Sequence, residues 1–359
     1  MKRFLPAVMT VLVFWASPLG AEARPLLPIE RLPIPPPPEV TAASWVLFDQ
    51  TVGVELGVLD GDTERSMAST TKIMSALVAY ELGQPGQRTV VSIRADRVGE
   101  AELGLVAGES VELRPLIDGL LIRSGNDAAV AVAEAIGGSV EGFVALMNQR
   151  AADMDLEHTR FANPHGLDQP GHYSSARDLL TMAVTAMDDP RFAQAVATRR
   201  IRLPDAPDGT ERILETTNRL LYDYPGAIGV KTGYTFAAGL VLVAAAERDG
   251  RRLYAVVMGS EGEGGHFEDA RRLLDYGFDQ LRVVPAVTQG ASYRLVDSAE
   301  VDQMTAQAGL ETLIHTAAMA RTGLLPEPPA VETPDVVALS SRQLPDLASA
   351  FGWLLEGLR

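Results

Sequence analysis

Lysine occurs three times in this chain, at Lys2, Lys72 and Lys231, and arginine supplies the remaining side-chain cations that stay charged at neutral pH. Arginine serves most solvated surface positions as well as lysine does, but a guanidinium does not give up its proton, whereas an amine can. With Lys2 in the leader-like N-terminus, the two remaining lysines, Lys72 and Lys231, are the positions where that difference can matter. Lys72 lies in Ser69-Thr70-Thr71-Lys72. At the start of a helix, residues i and i+3 share a face, so the Ser69 hydroxyl and the Lys72 amine come within hydrogen-bond reach. A buried, neutral amine can take the hydroxyl proton and make serine a nucleophile. The helix start also offers backbone N–H groups to a developing oxyanion. The plainer reading makes Ser69 a helix cap and Lys72 a surface residue. A serine three residues before either lysine arises by chance in roughly one case in ten, so this pair alone decides little.

Lys231 lies in Lys231-Thr232-Gly233, just before an apolar strand that follows the turn-rich Thr235 to Gly239. A lysine and a threonine hydroxyl beside a strand edge can hold a carboxylate, and the glycine lets a substrate backbone lie against that edge. The plainer reading is an ordinary turn, but Lys-Thr-Gly at either lysine by chance is on the order of one in a hundred. Between the two lies Ser124-Gly125-Asn126. Its hydroxyl can relay a proton and its amide can bind a peptide group, if the loop between two helices turns both into one cleft. Alone, this triplet reads equally well as a helix N-cap. Together and in this order, the three motifs form a specific signal.

Other chemistries are poorly served. There is no cysteine, which excludes disulfides, thiolate metal sites and cysteine nucleophiles. His165 and His172 are seven apart and no His-Glu-x-x-His occurs, so zinc-ligand spacing is absent and neither metal nor cofactor is expected. Both are read as loop or site-rim residues bonding locally; His158, His266 and His315 read as isolated and exposed. A formal net charge of −16 gives no footprint for nucleic acid.

The elements that must position these residues follow from periodicity. Ser44 to Asp49 and Val52 to Leu59 read as strands. Lys72 to Leu82 reads as a helix apolar nearly all round, hence buried. Leu113 to Leu121, Asp127 to Ile136 and Val140 to Met154 also read as helices. Leu240 to Ala246 and Leu253 to Met258 are apolar strands, and His266 to Phe278 returns to a helical pattern. The expected fold class is α/β of the α+β type, a sheet joining distant parts of the chain with helices packed on it.

The ends differ in character. Lys2 and Arg3, the apolar run from Phe4 to Ala16 and Ala21-Glu22-Ala23 read as a secretory signal peptide over residues 1–23. Residues 24–40 are a proline-rich spacer, extended by Pro35 to Pro38. After about Arg282, Val283 to Val301 has room for two strands, Val301 to Leu325 looks helical, and Pro326 to Pro334 is a linker. Leu347, Phe351, Leu354, Leu355 and Leu358 form one helical stripe within residues 346–359. It has no basic face, which favours packing on the body over contact with anionic lipid; peripheral membrane contact is the alternative.

The sequence resembles the low-molecular-mass penicillin-binding proteins of the serine D-alanyl-D-alanine carboxypeptidase type. The likeness runs from about Ser44 to Phe278. It includes Ala68-Ser69-Thr70-Thr71-Lys72-Ile73-Met74, Ser124-Gly125-Asn126-Asp127-Ala128, Phe161-Ala162-Asn163-Pro164-His165-Gly166-Leu167, Gly171-His172-Tyr173-Ser174 and Gly229-Val230-Lys231-Thr232-Gly233-Tyr234-Thr235. The resemblance implies a penicillin-binding/β-lactamase-like domain over 41–282, with an antiparallel sheet flanked by helices and a mostly helical insertion. A divergent region over 283–345 follows it. The resemblance further implies that Ser69 attacks the bond between two terminal D-alanines of a peptidoglycan stem peptide, with Lys72 as base. Ser124 would help carry the proton, Asn126 bind peptide backbone, Lys231 and Thr232 hold the terminal carboxylate, and Gly233 lie along the substrate backbone. The N–H groups of Ser69 and Tyr234 would hold the oxyanion. β-Lactams would acylate Ser69. Such an enzyme would work outside the cytoplasm, in the periplasm or cell envelope. Alternatives on the same scaffold are a D,D-endopeptidase, a β-lactamase or an inactive peptidoglycan-binding module. One departure stands out: the family often carries an arginine after the strand at Leu253 to Met258, where this chain reads Gly264-Gly265-His266-Phe267.

Overall fold

A computed structural model describes residues 36–285 and 293–297. The principal sheet is five-stranded and antiparallel, in the order β2-β1-β5-β4-β3. Its strands are β1 (Ser44–Asp49), β2 (Val54–Leu59), β3 (Ala227–Thr235), β4 (Gly239–Arg248) and β5 (Arg251–Ser260). The first strand thus pairs with the last, Trp45 opposite Val257 and Leu47 opposite Ala255, as the sheet joining distant chain segments required.

The apolar runs of β4 and β5 have a two-sided cause. Val241, Val243, Ala245, Tyr254, Val256 and Met258 face one core, and Leu242, Ala244, Ala246, Leu253, Ala255 and Val257 face the other. Side chains alternate between the faces of a strand, so a sheet covered on both sides needs apolar residues at every position.

On one face lie α1 (Lys72–Leu82), α2 (Leu113–Ile122), α3 (Asn126–Gly137), α4 (Val140–Asp153), α5 (Ala176–Met187) and α6 (Pro190–Ala197); α7 (Gly265–Asp275) covers the other. Helix α1 is buried at every position from Lys72 to Tyr80, in line with its all-round apolar sequence. Fully burying each of Ile73, Leu77 and Val78 contributes about 1.5–3 kcal/mol, and the same packing takes Lys72 out of water.

Helices α5 and α6 did not emerge from the periodicity, although their caps were visible. Ser175 Oγ accepts from Asp178 N at 3.2 Å, and Asp189 accepts from Arg191 N with Pro190 at the first helical position. The ribbon of Arg200–Leu203 with Arg212–Glu215 is likewise additional to the strands expected from the sequence. Lys231 precedes the apolar strand β4, as expected, and itself lies inside edge strand β3. The expected pair of strands after Arg282 is present as Leu281–Pro285 antiparallel to Tyr293–Asp297.

The expected signal peptide, the expected spacer up to residue 35, the stretch 301–325 read as helical, the expected linker 326–334 and the stripe within 346–359 lie outside the described residues. Among the described residues no single helix is long and apolar enough to cross a membrane.

Candidate active site

Ser69 sits in a single 3₁₀ turn, Ala68–Thr71, that feeds straight into α1. Two hydroxyls tie this turn to itself: Thr70 Oγ1 donates to Met67 O at 2.5 Å and Thr71 Oγ1 to Ala68 O at 2.7 Å. Lys72, the first residue of α1, is fully buried. Its Nζ lies 2.9 Å from Ser69 Oγ, 2.8 Å from Asn126 Oδ1 and 2.6 Å from His165 O. The two carbonyl oxygens can only accept. A neutral amine has two hydrogens and one lone pair, so its hydrogens go to Asn126 and His165 and its lone pair faces the Ser69 hydroxyl. Burial drives the Lys72 pKa well below its ordinary value; the nearby Lys231 pushes the same way and Asp127 opposes. The arrangement can therefore take a proton from Ser69.

Across the cleft, Lys231 Nζ donates to Ser124 Oγ at 3.0 Å and to Thr232 O at 3.0 Å. Burial lowers its pKa to about 7. Ser124 is a non-glycine residue in the left-handed region, φ 71°, a strained conformation of the kind that collects at sites. Asn126 opens α3 and is buried. Its Nδ2 donates to Gly99 O at 3.0 Å, which leaves one amide hydrogen and one carbonyl lone pair unassigned. Thr232 Oγ1 lies 2.6 Å from Thr217 Oγ1. Gly233 has a steric reason: a Cβ there would stand 3.0 Å from Ser69 N and 3.0 Å from Ala68 Cβ. Strand β3 thus lies directly against the serine turn, and the Lys231–Ser124 and Lys72–Asn126 bonds join the third motif to both. Tyr234 and Phe236 beyond it are exposed, and Asp168 accepts from Thr235 Oγ1 and Ala237 N to fix their turn.

Several contributors carried no readable signal. Asp127 is buried and accepts from the backbone of Leu103, Leu105 and Ala128, securing the segment over Asn126. Thr217 comes from the chain before β3. Two histidine readings need correction. His172 does not bond only locally; its Nε2 lies 2.8 Å from Thr71 Oγ1. His266 is buried, not exposed, because it falls on the covered side of the first turn of α7. At the place of the missing arginine, Arg219 reaches in from another segment: its Nη1 is 3.9 Å from where a Gly264 Cβ would stand, and its guanidinium lies over the Phe267 ring. Among the described residues no cluster of three or more His, Asp or Glu side chains could hold a metal ion.

Residues 33–262 match the family model described as D-alanyl-D-alanine carboxypeptidase, Peptidase_S11. The chain is 40% identical over 257 residues to D-alanyl-D-alanine carboxypeptidase DacB2 of Mycobacterium tuberculosis, covering 70% of this chain and 86% of that one. It is 34% identical over 304 residues to DacD of Escherichia coli, covering 81% and 75%. Among solved structures, penicillin binding protein 6B of Escherichia coli superposes with a TM-score of 0.67 at 34% identity, over 75% of this chain and 88% of that one. The Streptomyces K15 DD-transpeptidase superposes with a TM-score of 0.63 at 31% identity, over 68% and 99%.

Proposed function

Because the chain belongs to the D-alanyl-D-alanine carboxypeptidase family Peptidase_S11, we propose that Ser69 and Lys72 form its acylating pair. The protein is a serine peptidase acting on the D-Ala-D-Ala end of peptidoglycan peptides. In the proposed mechanism, Ser69 Oγ attacks the carbonyl carbon of the terminal peptide bond as its proton passes to the Lys72 lone pair. The oxyanion lies between the N–H groups of Ser69 and Tyr234. Collapse breaks the C–N bond. The departing D-alanine nitrogen takes a proton that Ser124 relays from Lys72, which is then neutral again. Lys231 and Thr232 receive the terminal carboxylate, Gly233 lets the substrate backbone approach β3, and Asn126 binds a substrate peptide group with its remaining amide hydrogen. Water then hydrolyses the ester. A β-lactam undergoes the same attack, but its leaving nitrogen stays tethered.

One observation carries this reading: Lys72 is buried with both hydrogens claimed by acceptor-only carbonyls, so its lone pair faces Ser69. The same demand for a proton-free amine explains lysine where this chain otherwise uses arginine. We place the work in the periplasm or cell envelope, where the leader-like residues 1–23 would send the protein and where peptidoglycan lies.

The test is release of free D-alanine from a pentapeptide ending in D-Ala-D-Ala, with Ser69→Ala as control. Release by the unmodified protein alone supports the assignment. Release by Ser69→Ala removes Ser69 from the nucleophile's role.

A further inference from the structure

The peptide between Ala68 and Ser69 has an unusual setting. Ala68 takes φ 48°, left-handed for a residue with a Cβ, which costs about 1–3 kcal/mol. The segment over it passes so close that a Cβ on Gly166 would lie 2.0 Å from Ala68 O and 2.9 Å from Ser69 N. A trans peptide unit is planar, with its C=O and the following N–H pointing in opposite directions. Whatever fixes the direction of Ala68 O therefore also fixes the direction of the Ser69 N–H.

The group that fixes Ala68 O is the Thr71 hydroxyl, at 2.7 Å. That hydroxyl in turn lies 2.8 Å from His172 Nε2. The other ring nitrogen, Nδ1, accepts from Ala162 N at 3.0 Å. Since Nδ1 presents its lone pair, a neutral ring carries its hydrogen on Nε2. Every hydrogen then has one assignment: Ala162 N–H to His172 Nδ1, His172 Nε2–H to Thr71 Oγ1, and Thr71 O–H to Ala68 O. Thr71 is fully buried and His172 is 5% exposed, so water does not compete for these bonds. Phe161 packs edge-on against the imidazole.

We propose that His172 is a positioning residue that, through Thr71 Oγ1 and Ala68 O, aims the Ser69 N–H at the carbonyl oxygen of the reacting bond. The proposal deepens the reading above and rests on Ser69 being the nucleophile. Neither His172 nor Thr71 touches substrate. Their contribution is a donor already pointing where negative charge develops, which costs no reorganisation during the reaction. The burial that keeps water out also keeps the imidazole neutral, with its pKa lowered to about 4 against the pull of Asp168 and with the help of Lys72. An imidazolium would set an Nδ1–H against the Ala162 N–H and break the series of bonds.

Losing an oxyanion donor altogether costs about 10²–10³-fold in rate, so misaiming one should cost about tenfold to a hundredfold. The experiment measures acylation of the full-length protein by a small ester donor and by its thiono counterpart, in which sulfur replaces the carbonyl oxygen. Sulfur accepts N–H hydrogen bonds poorly, so a well-aimed donor favours the oxygen ester. For His172→Ala and Thr71→Val, the oxygen ester should slow by about tenfold to a hundredfold and the thiono ester much less. Combining the two substitutions should cost little more than either alone, since both break one series of bonds. Thr71→Ser, which keeps the hydroxyl, should restore the rate. If His172→Ala fails to fold, the smaller change Thr71→Val carries the same test, with melting temperature as its check. Equal slowing of both esters, additive losses, or unchanged acylation overturns the proposal. Ser69→Ala separates the two failures: if it still takes up label, the nucleophile assignment falls and the proposal with it. If it takes up none while the variants acylate normally, the positioning role alone falls.

Discussion

Binding of a substrate carboxylate at Lys231 is expected to depend on pH. Burial lowers its pKa to about 7, and its two hydrogen bonds are to Ser124 Oγ and Thr232 O. A carboxylate arriving at this amine favours the ammonium, so ligand binding takes up a proton wherever the free enzyme has lost it. The direction follows from the lowered pKa: affinity is full below about pH 7 and falls as the pH rises. At pH 8 roughly one Lys231 in eleven is protonated, so the dissociation constant should be about elevenfold weaker than its low-pH limit, or about 1.4 kcal/mol. At pH 9 the loss should reach about a hundredfold. The assay is calorimetric titration of an N-acyl-D-Ala-D-Ala peptide into Ser69→Ala protein between pH 6 and 9. Buffers of different ionisation enthalpy then report the protons taken up. The peptide amide, lacking the carboxylate, should show a flat profile, as should Lys231→Arg, whose guanidinium stays charged. Lys72 does not mimic the signal: a charge on Lys231 pushes the Lys72 pKa further down, which releases protons. An affinity constant from pH 6 to 9, with no proton uptake at pH 8, would refute the argument.

Three other outcomes are expected. Lys72→Arg should lower penicillin acylation by at least about 10²-fold at every pH up to 9, because the guanidinium offers no lone pair; retained acylation removes Lys72 from the base role. Gly166→Ala should lower both melting temperature and acylation, the latter at least about tenfold if half or more of one oxyanion donor's worth is lost. Its Cβ would stand 2.0 Å from Ala68 O at a φ of 96°, and normal labelling would show that the turn yields. Arg212→Met should cost about 3–5 kcal/mol in urea unfolding. It strands Glu109, whose side chain is 7% exposed and 2.7 Å from Arg212 Nη2. Replacing Glu109 by Met as well should recover most of that loss.

The readable parts of this protein were those in which neighbours along the chain decide the structure. Ser69 and Lys72 meet because residues three apart at a helix start share a face, so the chemistry of that pair was legible. The bounds of α1 and β1 were legible for a similar reason, since continuous burial leaves an apolar run. Strand β3 was not, because Gly229, Lys231, Thr232 and Gly233 interrupt any alternation; its place at the sheet edge comes from pairing with β4. Helices α5 and α6 were legible in principle from Ser175, Asp189 and Pro190, whose capping chemistry is local.

Tertiary structure alone decided the rest. Lys231 meets Ser124, and Lys72 meets Asn126 and His165, only because sheet and helices bring distant segments into contact. The lowered pKa values of both lysines come from burial, which belongs to the packed chain and to no short segment of it. His172 shows the division most clearly. Its type and its neighbours along the chain indicate a local loop bond. Its bond to Thr71 exists because the loop carrying it folds back over the start of α1. Short-range sterics depend on a few adjacent residues and can be read from them; desolvation and cross-chain hydrogen bonds depend on which surfaces meet when the core closes.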